Sequence, residues 1–523
     1  MTEKTQETEL KLELDKADLQ RLKKAAAPAG FSVARAVTRP LASIYFDTPD
    51  LALKRAKWSL RVRRIGNDWI QTVKAGTGVV AGLSRPREYE VEVAAPVPDL
   101  TRIADETVRE GLWKLIDGAP LDQVFETRMT RTTRVFSAGE NTEIELALDA
   151  GEIHAGASAH PLFEAEFELM AGPVEALFDL ASALPGLDRA RLSPMSKAGR
   201  GYALLDGGLP QPAPLKADDV ALTTGDTAES AFRAILRSCL TQIAANRDAV
   251  LAGEAPEAPH QLRIGLRRLR SALKIHARLL DPPTREALDN AARALATTVG
   301  ALRDLDVLAT DILAPALAEA PDEVPARALA ETIAARRIEV RGEVRAALEG
   351  VQVNALVFAL ARLAEGEGWR ARAVAALGPE IDDAWRMPAR EFAARAMHKR
   401  WKAAARLGAR IDDLDLEERH DMRKALKKLR YTLEFYRPLF QRKTMKPFLS
   451  KLKRLQDVFG YLNDVAMARG LVRLVGETAG GDADRALAAG FVLGWHEARA
   501  ARAWQDARAL WDDTRAADRF WKS

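Results

Sequence analysis

Four short stretches of this chain carry charge on every second residue. Glu7, Glu9, Lys11 and Glu13 share one face of "ETELKLEL", and Arg61 and Arg63 share a face of "SLRVRR". Glu143, Glu145 and Asp149 do so around "EIELALD", and Glu164, Glu166 and Glu168 in "FEAEFEL". In a strand, alternate side chains point to opposite faces, and for any one strand the ordinary reading of a charged face is a water-facing one. Four strands, most dominated by one sign, suggest another arrangement. A closed antiparallel barrel with a polar lumen would set basic strands against acidic ones across a shared cavity. Arginines and lysines there would hold phosphate oxygens, and clustered carboxylates would coexist by binding a hard divalent cation.

A second chemistry lies further along. "HQLRIGLRRLRSALK" (260–274) and "HDMRKALKKLR" (420–430) each carry five Lys or Arg and start 160 residues apart. At that offset His260 meets His420, Arg263 meets Arg423, Arg267 meets Lys427, and Arg270 meets Arg430. The register continues through Arg293 and Lys453, Gly300 and Gly460, and Asp304 and Asp464. An internal duplication explains this and predicts two bundles related by a pseudo-two-fold axis. At about 100° per residue, His260, Arg263, Arg267 and Lys274 occupy one sector, while Leu262, Leu266, Leu269 and Leu273 occupy another. Arg270 and Arg430 project on the leucine side, where a lone guanidinium is costly. They are therefore expected to pair with Asp304 and Asp464. Two matching basic stripes favour one continuous cationic surface for an extended polyanion. Nucleic acid satisfies the electrostatics, but Tyr431 is the one aromatic beside either stretch, which favours sequence-independent phosphate recognition.

The elements that must position these residues follow two grammars. Up to about residue 205 the chain shows period-two segments, among them "WIQTVKA" and "REYEVEV", broken by turn residues and by two helical patterns, "LTRIADETVREGLWKLI" and "GPVEALFDLASAL". Residues 206–218 are rich in Pro and Gly and read as a linker; beyond them Ala, Leu, Arg and Glu recur at helical spacing. The length of 523 residues calls for more than one domain, and a net charge of +4 says little about partners. With no long uncharged apolar run and an acidic, Thr-rich start, the expectation is a soluble cytoplasmic protein. The single Cys239 excludes an internal disulfide framework and a cysteine-based zinc site, and it reads as a buried thiol. "DLDLEE" (413–418) lacks the glycine and spacing of a calcium loop and reads as a solvated helix start. His154 and His160 read as surface residues. Eight of the ten Trp read as packing residues.

"ETELK" resembles the Glu-x-Glu-x-Lys signature of the CYTH, or triphosphate tunnel metalloenzyme, superfamily. The ordered set "YFDTPDLALKRAKWSLRVRR", "WIQTVKAG", "REYEVEV", "FETRMTRT", "IELALDAGEI", "EAEFELMAG" and "SPMSKAGRGYALL" extends the resemblance over about 200 residues. It implies an eight-stranded antiparallel tunnel with flanking helices over residues 1–205, acting on triphosphates with Mg2+ or Mn2+. By that resemblance Glu7 and Glu9 are metal ligands and Lys11 a phosphate contact, the three forming the catalytic group. Arg61, Arg63, Lys74 and Arg131 line a basic wall. Glu145, Asp149, Glu164 and Glu166 complete the metal-binding wall, and Lys197 with Arg200 closes the tunnel. Glu168 is the expected bystander, and either Arg85 or Arg87 faces the lumen.

Residues 219–515 resemble the CHAD domain on the paired "HQLRIGLRRLR" and "HDMRKALKKLRY" segments. This implies an all-α domain of two duplicated four-helix bundles, about 219–375 and 376–515, binding inorganic polyphosphate. The matching ligands are His260, Arg263, Arg267, Lys274, His420, Arg423, Lys427 and Lys428, with Arg293 and Lys453 in second rank. Glu434 stands where Lys274 stands, so the repeats are not equivalent there. The combined expectation is a divalent-metal-dependent inorganic triphosphatase joined to a polyphosphate-binding module, cytoplasmic and associated with polyphosphate granules. The alternatives are a non-catalytic granule scaffold, an enzyme for thiamine triphosphate or ATP, and a nucleic-acid binder.

Overall fold

The computed structural model describes residues 7–76, 79, 82–187, 189–322, 324–477 and 483–522. They form two compact units, 1–212 with 349–368 and 213–348 with 369–523.

The first unit is built on eleven strands: β1 (Glu9–Glu13), β2 (Ser32–Val33), β3 (Val37–Asp47), β4 (Trp58–Ile65), β5 (Asp68–Ala75), β6 (Leu83–Ser84), β7 (Arg87–Val93), β8 (Asp122–Ala138), β9 (Thr142–Ala155), β10 (Ser158–Ala171) and β11 (Arg191–Leu192). Nine run in one antiparallel path, β11-β1-β10-β9-β8-β3-β4-β5-β7, with β2 paired to β8 and β6 to β1. Because β6 lies on β1 while β7, two residues later, lies on β5, this short segment ties one end of the curled sheet to the other. The alternating segments of the sequence are all strands, and the sheet is curled and antiparallel as expected, with eight strands of five residues or more and three of two residues, β2, β6 and β11.

The sheet is inside out in the predicted sense. Leu60, Val62 and Val73 point away from the hollow and pack with Val108, Leu112 and Ile116 of the helix Glu106–Ile116, which Asp105 caps through its carboxylate. Arg61, Arg63 and Lys74, on the opposite face, therefore point inward. The helix Lys197–Leu205 is capped by Ser196 and lies against β8, where any side chain at Gly201 would strike the Phe125 ring. That close approach delivers Lys197 to the lumen.

One segment lies outside its expected domain. The helix Val351–Glu365, placed by sequence in the first helical repeat, belongs to the sheet unit. Its apolar face, including Val353, Val357 and Leu360, is buried, Arg362 pairs with Asp179 at 2.8 Å, and Asn354 donates to the Leu187 carbonyl. Glu175 accepts from the backbone N–H groups of Glu367 and Gly368. Helical periodicity reports an apolar stripe without naming the surface that will cover it.

In the second unit the duplication is explicit. The helices Ala228–Ala252, Glu257–Ile275 and Pro282–Val307 recur as Ala389–Gly408, Leu416–Tyr436 and Arg442–Glu477, each start within one residue of a 160-residue offset. Ala326–Leu348 and Ala483–Ala516 complete two sets of four long helices. Local signals set the boundaries: a capping box at Thr227 and Ser230, another at Asp415 and Glu418, and Asp281 capping a helix that opens on Pro282. Equivalent residues meet at the pseudo-two-fold axis. Ala228 N–H donates to Met387 O and Ala389 N–H to Asp226 O, both at 2.8 Å. His276 and Tyr436, themselves 160 apart, share a 2.6 Å hydrogen bond. The expected linker is anchored near its end, where Asn246 bonds both the N–H and the carbonyl of Leu215. Cys239 is fully buried and its thiol is pushed up to about 11 by that burial.

Candidate functional site

The hollow of the sheet encloses a cavity of about 560 Å3. Glu7, Glu9 and Lys11, with Glu145, Glu166 and Glu168, line one side; Arg61, Arg63, Lys74 and Arg131, with Glu88 and Glu90, line another. Strand register explains the mixture. Lys11 lies opposite Glu166, Arg131 opposite Asp149 and Lys74 opposite Glu88, so these three cations have a carboxylate across the ladder, whereas Arg61 and Arg63 face uncharged residues on both neighbouring strands.

Most lumen cations are accordingly paired. Lys11 reaches Glu166 at 2.6 Å and Glu9 at 2.9 Å, and Arg131 holds Asp149 through two bonds of 2.8 and 2.6 Å and Glu166 at 2.6 Å. Lys197 contacts Glu166, Asp149 and Glu164 at 2.7, 2.9 and 3.0 Å. Lys74 bonds Glu88 at 2.6 Å.

Two places are unevenly balanced in charge, although Glu7 does meet Lys74 at 3.4 Å. Arg63 makes one hydrogen bond, to Ser43 Oγ at 3.1 Å, and no ion pair to it is found among the described residues. Burial and the charges of Arg61 and Arg131 pull its guanidinium down to about 10, so the basic wall is short of an anion. On the acidic side Glu7 is pushed up to about 8 by burial, by its hydrogen bond with Glu88, and by the charges of Glu88 and Glu168, against the opposing pull of Lys74.

These positions sort the sequence-predicted residues. Glu7, Glu9, Lys11, Arg61, Arg63, Lys74, Arg131, Glu145, Glu166 and Lys197 share the cavity. Asp149 and Glu164 do not line it: both are fully buried, Asp149 against Lys197 and Arg131 and Glu164 against Lys197. Arg200 is likewise turned away, bonded to Glu13 at 2.8 Å and to Ser193 at 2.7 Å. Glu168, expected to be a bystander, lines the cavity, as do Arg39, Glu88 and Glu90. The alternation of "REYEVEV" carried the signal for Glu88 and Glu90. Neither Arg85 nor Arg87 faces the lumen; Arg85 pairs with Glu365 at 3.3 Å and Arg87 is exposed.

No three ligand-type side chains converge on one point among the described residues. Glu7, Glu88 and Glu168 nevertheless offer hard oxygen donors close together, which suits a divalent cation of the magnesium or manganese type.

In the helical unit the four leucines of Glu257–Ile275 are buried as expected, and His260, Arg263 and Arg267 are half-buried. His260 is pulled down to about 4 by burial and by Arg303 and Arg267, so it offers a neutral imidazole. Arg263 bonds Asp304 at 2.7 Å, and this overturns the pairing expected for Arg270, which bonds Asp289 at 2.9 Å instead. The two helices run antiparallel; Asp289 is near their turn beside Arg270, and Asp304 lies roughly four turns further along. Arg430 pairs with Glu434 at 2.6 Å, and the Asp464 side chain lies outside the described residues. Arg293 and Lys274 also approach Asp289, at 3.0 and 3.9 Å. Burial holds Lys274 below the usual lysine range, and Arg270, Lys428 and Arg293 add to this against Asp289. The basic stripes of the two repeats thus come together near Lys274 and Lys428. His420, Lys428 and Lys453 are exposed, and Arg423 and Lys427 are half-buried.

Comparison with known proteins agrees with this division. Residues 5–202 match the CYTH domain and residues 234–473 the CHAD domain. An inorganic triphosphatase of Haemophilus influenzae is 34% identical over 166 residues, 31% of this chain and 46% of that protein, so the match spans about half of the relative's length. The crystal structure of the CHAD domain from the plant Ricinus communis is 30% identical and covers 59% of this chain and 98% of its own, with a TM-score of 0.49. A putative adenylyl cyclase from Hippeastrum, described as having a dominant triphosphatase activity, is 21% identical over 39% of this chain and 97% of its own, with a TM-score of 0.26. The chain is a CYTH domain followed by a CHAD domain, distantly related to inorganic triphosphatase.

Proposed function

We propose that the sheet unit hydrolyses inorganic triphosphate to diphosphate and phosphate with a divalent cation. The observation that carries this reading is one cavity that holds Arg63, with no ion pair among the described residues, beside Arg61 and Arg131, and Glu7 crowded by the carboxylates of Glu88 and Glu168 with Lys74 3.4 Å away. An anion that brings its own metal satisfies both at once. Arg61, Arg63 and Arg131 would hold the phosphate oxygens and stabilise charge on the leaving diphosphate as the terminal P–O bond breaks. Lys11 and Lys197 keep the carboxylates beneath in place. Glu7, Glu9 and Glu168 would hold Mg2+ or Mn2+, which supplies Lewis-acid neutralisation of phosphate oxygens. The enclosed wall limits bulk water, leaving attack by a positioned water molecule as the simplest course.

The helical unit would bind inorganic polyphosphate along the joined stripes at Lys274 and Lys428, next to His260, Arg267, His420 and Lys427. Cytoplasmic placement at polyphosphate stores belongs to the same proposal. Phosphate release from triphosphate, longer polyphosphate, ATP and thiamine triphosphate, each with Mg2+ or Mn2+, tests the first part. Triphosphate should be turned over fastest; release from an organic triphosphate alone, or none with either metal, would defeat the reading in favour of the organic substrate or the granule scaffold. Competition between polyphosphate and DNA at fixed salt tests the second part.

A further inference from the structure

The second helical repeat holds a cavity of about 590 Å3, within the roughly 300–1,000 Å3 range of small-molecule sites. Its floor is aromatic and aliphatic: Trp504 and Phe459 meet edge to face at 5.8 Å between centroids, with Leu462 and Val465 beside them. Its basic side carries Arg419, His420 and Arg423. The Arg419 guanidinium sits over the Trp504 indole, 3.7 Å from the ring centroid, and is held there by a 3.0 Å bond to the Leu414 carbonyl. The amides of Asn463 and Gln505 also line the space.

The first repeat shows how the same place can be filled. At the 160-residue offset Phe459 replaces Val299, Asn463 replaces Arg303, and Ala466 replaces Asp306. Asp306 is fully buried and is held by Arg337 through bonds of 3.0 and 2.7 Å, so an ion pair occupies that position. In the second repeat Ala466, Ala500 and Ala501 leave the volume open and Trp504 projects along it. A continuous basic face for a simple polyanion needs neither an indole floor nor carboxamides beside it. A planar ring does need the floor, because a base gains affinity by stacking on an aromatic side chain. Carboxamides suit the hydrogen-bonding edge of such a ring, and Arg423 with His420 suits a phosphate attached to it.

We propose that this cavity binds a nucleoside phosphate, its base against Trp504 and its phosphate at His420 and Arg423. The site differentiates the repeats and is independent of the chemistry in the sheet unit. The test is calorimetric titration of the full chain with AMP, adenosine and inorganic phosphate. AMP should bind at least tenfold more tightly than either fragment. Trp504→Leu, which keeps apolar bulk, and Ala500→Met, which fills the space without removing a contact, should each weaken AMP at least tenfold. Both should leave triphosphate turnover in the sheet unit unchanged. Arg63→Gln in the sheet cavity should leave AMP binding unaltered. Equal binding of AMP and inorganic phosphate, AMP binding that survives both pocket variants, or its loss in Arg63→Gln would overturn the proposal.

Discussion

The two units carry cations for anionic partners in different dielectric surroundings. In the sheet unit Arg61, Arg63 and Lys11 are enclosed, and pairing across strands leaves Arg63 as the one half-buried lumen arginine with no ion pair among the described residues. In the helical unit Lys428, Lys453 and His420 stand exposed to water. Enclosure makes each uncompensated charge count for more and fixes geometry; exposure gives reach along a long anion at the expense of sensitivity to salt.

The largest expected effect follows from the enclosed side. Arg63→Gln should lower triphosphate turnover roughly 100-fold or more, in line with removal of one preorganised donor, and leave polyphosphate binding intact. A parallel loss in both assays would erase the distinction between the units.

A second measurement concerns stability. His276 Nδ1–H donates to the Ala272 carbonyl, so Nε2 must accept from the Tyr436 hydroxyl. Burial between Phe232 and Phe392 holds the imidazole at about 4, below its usual 6.5. Because the folded-state value is depressed, the stabilisation is present above pH 6.5 and is lost as pH falls through about 4, amounting to roughly 3 kcal/mol for the helical unit. Thermal unfolding across that range should show a steeper acid loss in the native chain than in His276→Gln; identical slopes would remove the role of the axis.

Salt sharpens the contrast further. Raising monovalent salt from about 50 to 200 mM should weaken polyphosphate binding by tenfold or more and change the Michaelis constant for triphosphate much less. Equal sensitivity would indicate that the sheet cavity is as wet as the helical face. The smallest effect is expected from Arg270→Leu, about 1 kcal/mol of unfolding free energy from loss of a partly exposed pair with Asp289, with less still from Arg430→Leu.

Much of this was legible beforehand. The period-two charge on "ETELKLEL" and "SLRVRR" announced an inside-out sheet, because alternation fixes which residues share a face. The 160-residue repeat announced two equivalent helix sets, and the contact between His276 and Tyr436 is its direct result. The failures concern depth and partner choice. Glu164 and Glu168 share a face and differ only in distance along β10, yet one is buried among cations and the other lines the cavity. Arg270 needed a carboxylate, and either Asp289 or Asp304 would have met that need on composition alone. The aromatic floor of the second repeat was invisible because Trp504 lies more than 80 residues from His420 and carries no local pattern.

By itself the amino-acid order determined the faces, the duplication and the number and sign of the charges, since each depends on spacing within one element. The tertiary structure alone decided which charges meet: Arg131 comes to Arg63, and Glu88, Glu168 and Lys74 come to Glu7, from other strands. It also decided that Val351–Glu365 joins the sheet. Electrostatic and packing energies depend on distances between elements, and those distances exist only once the chain has closed on itself.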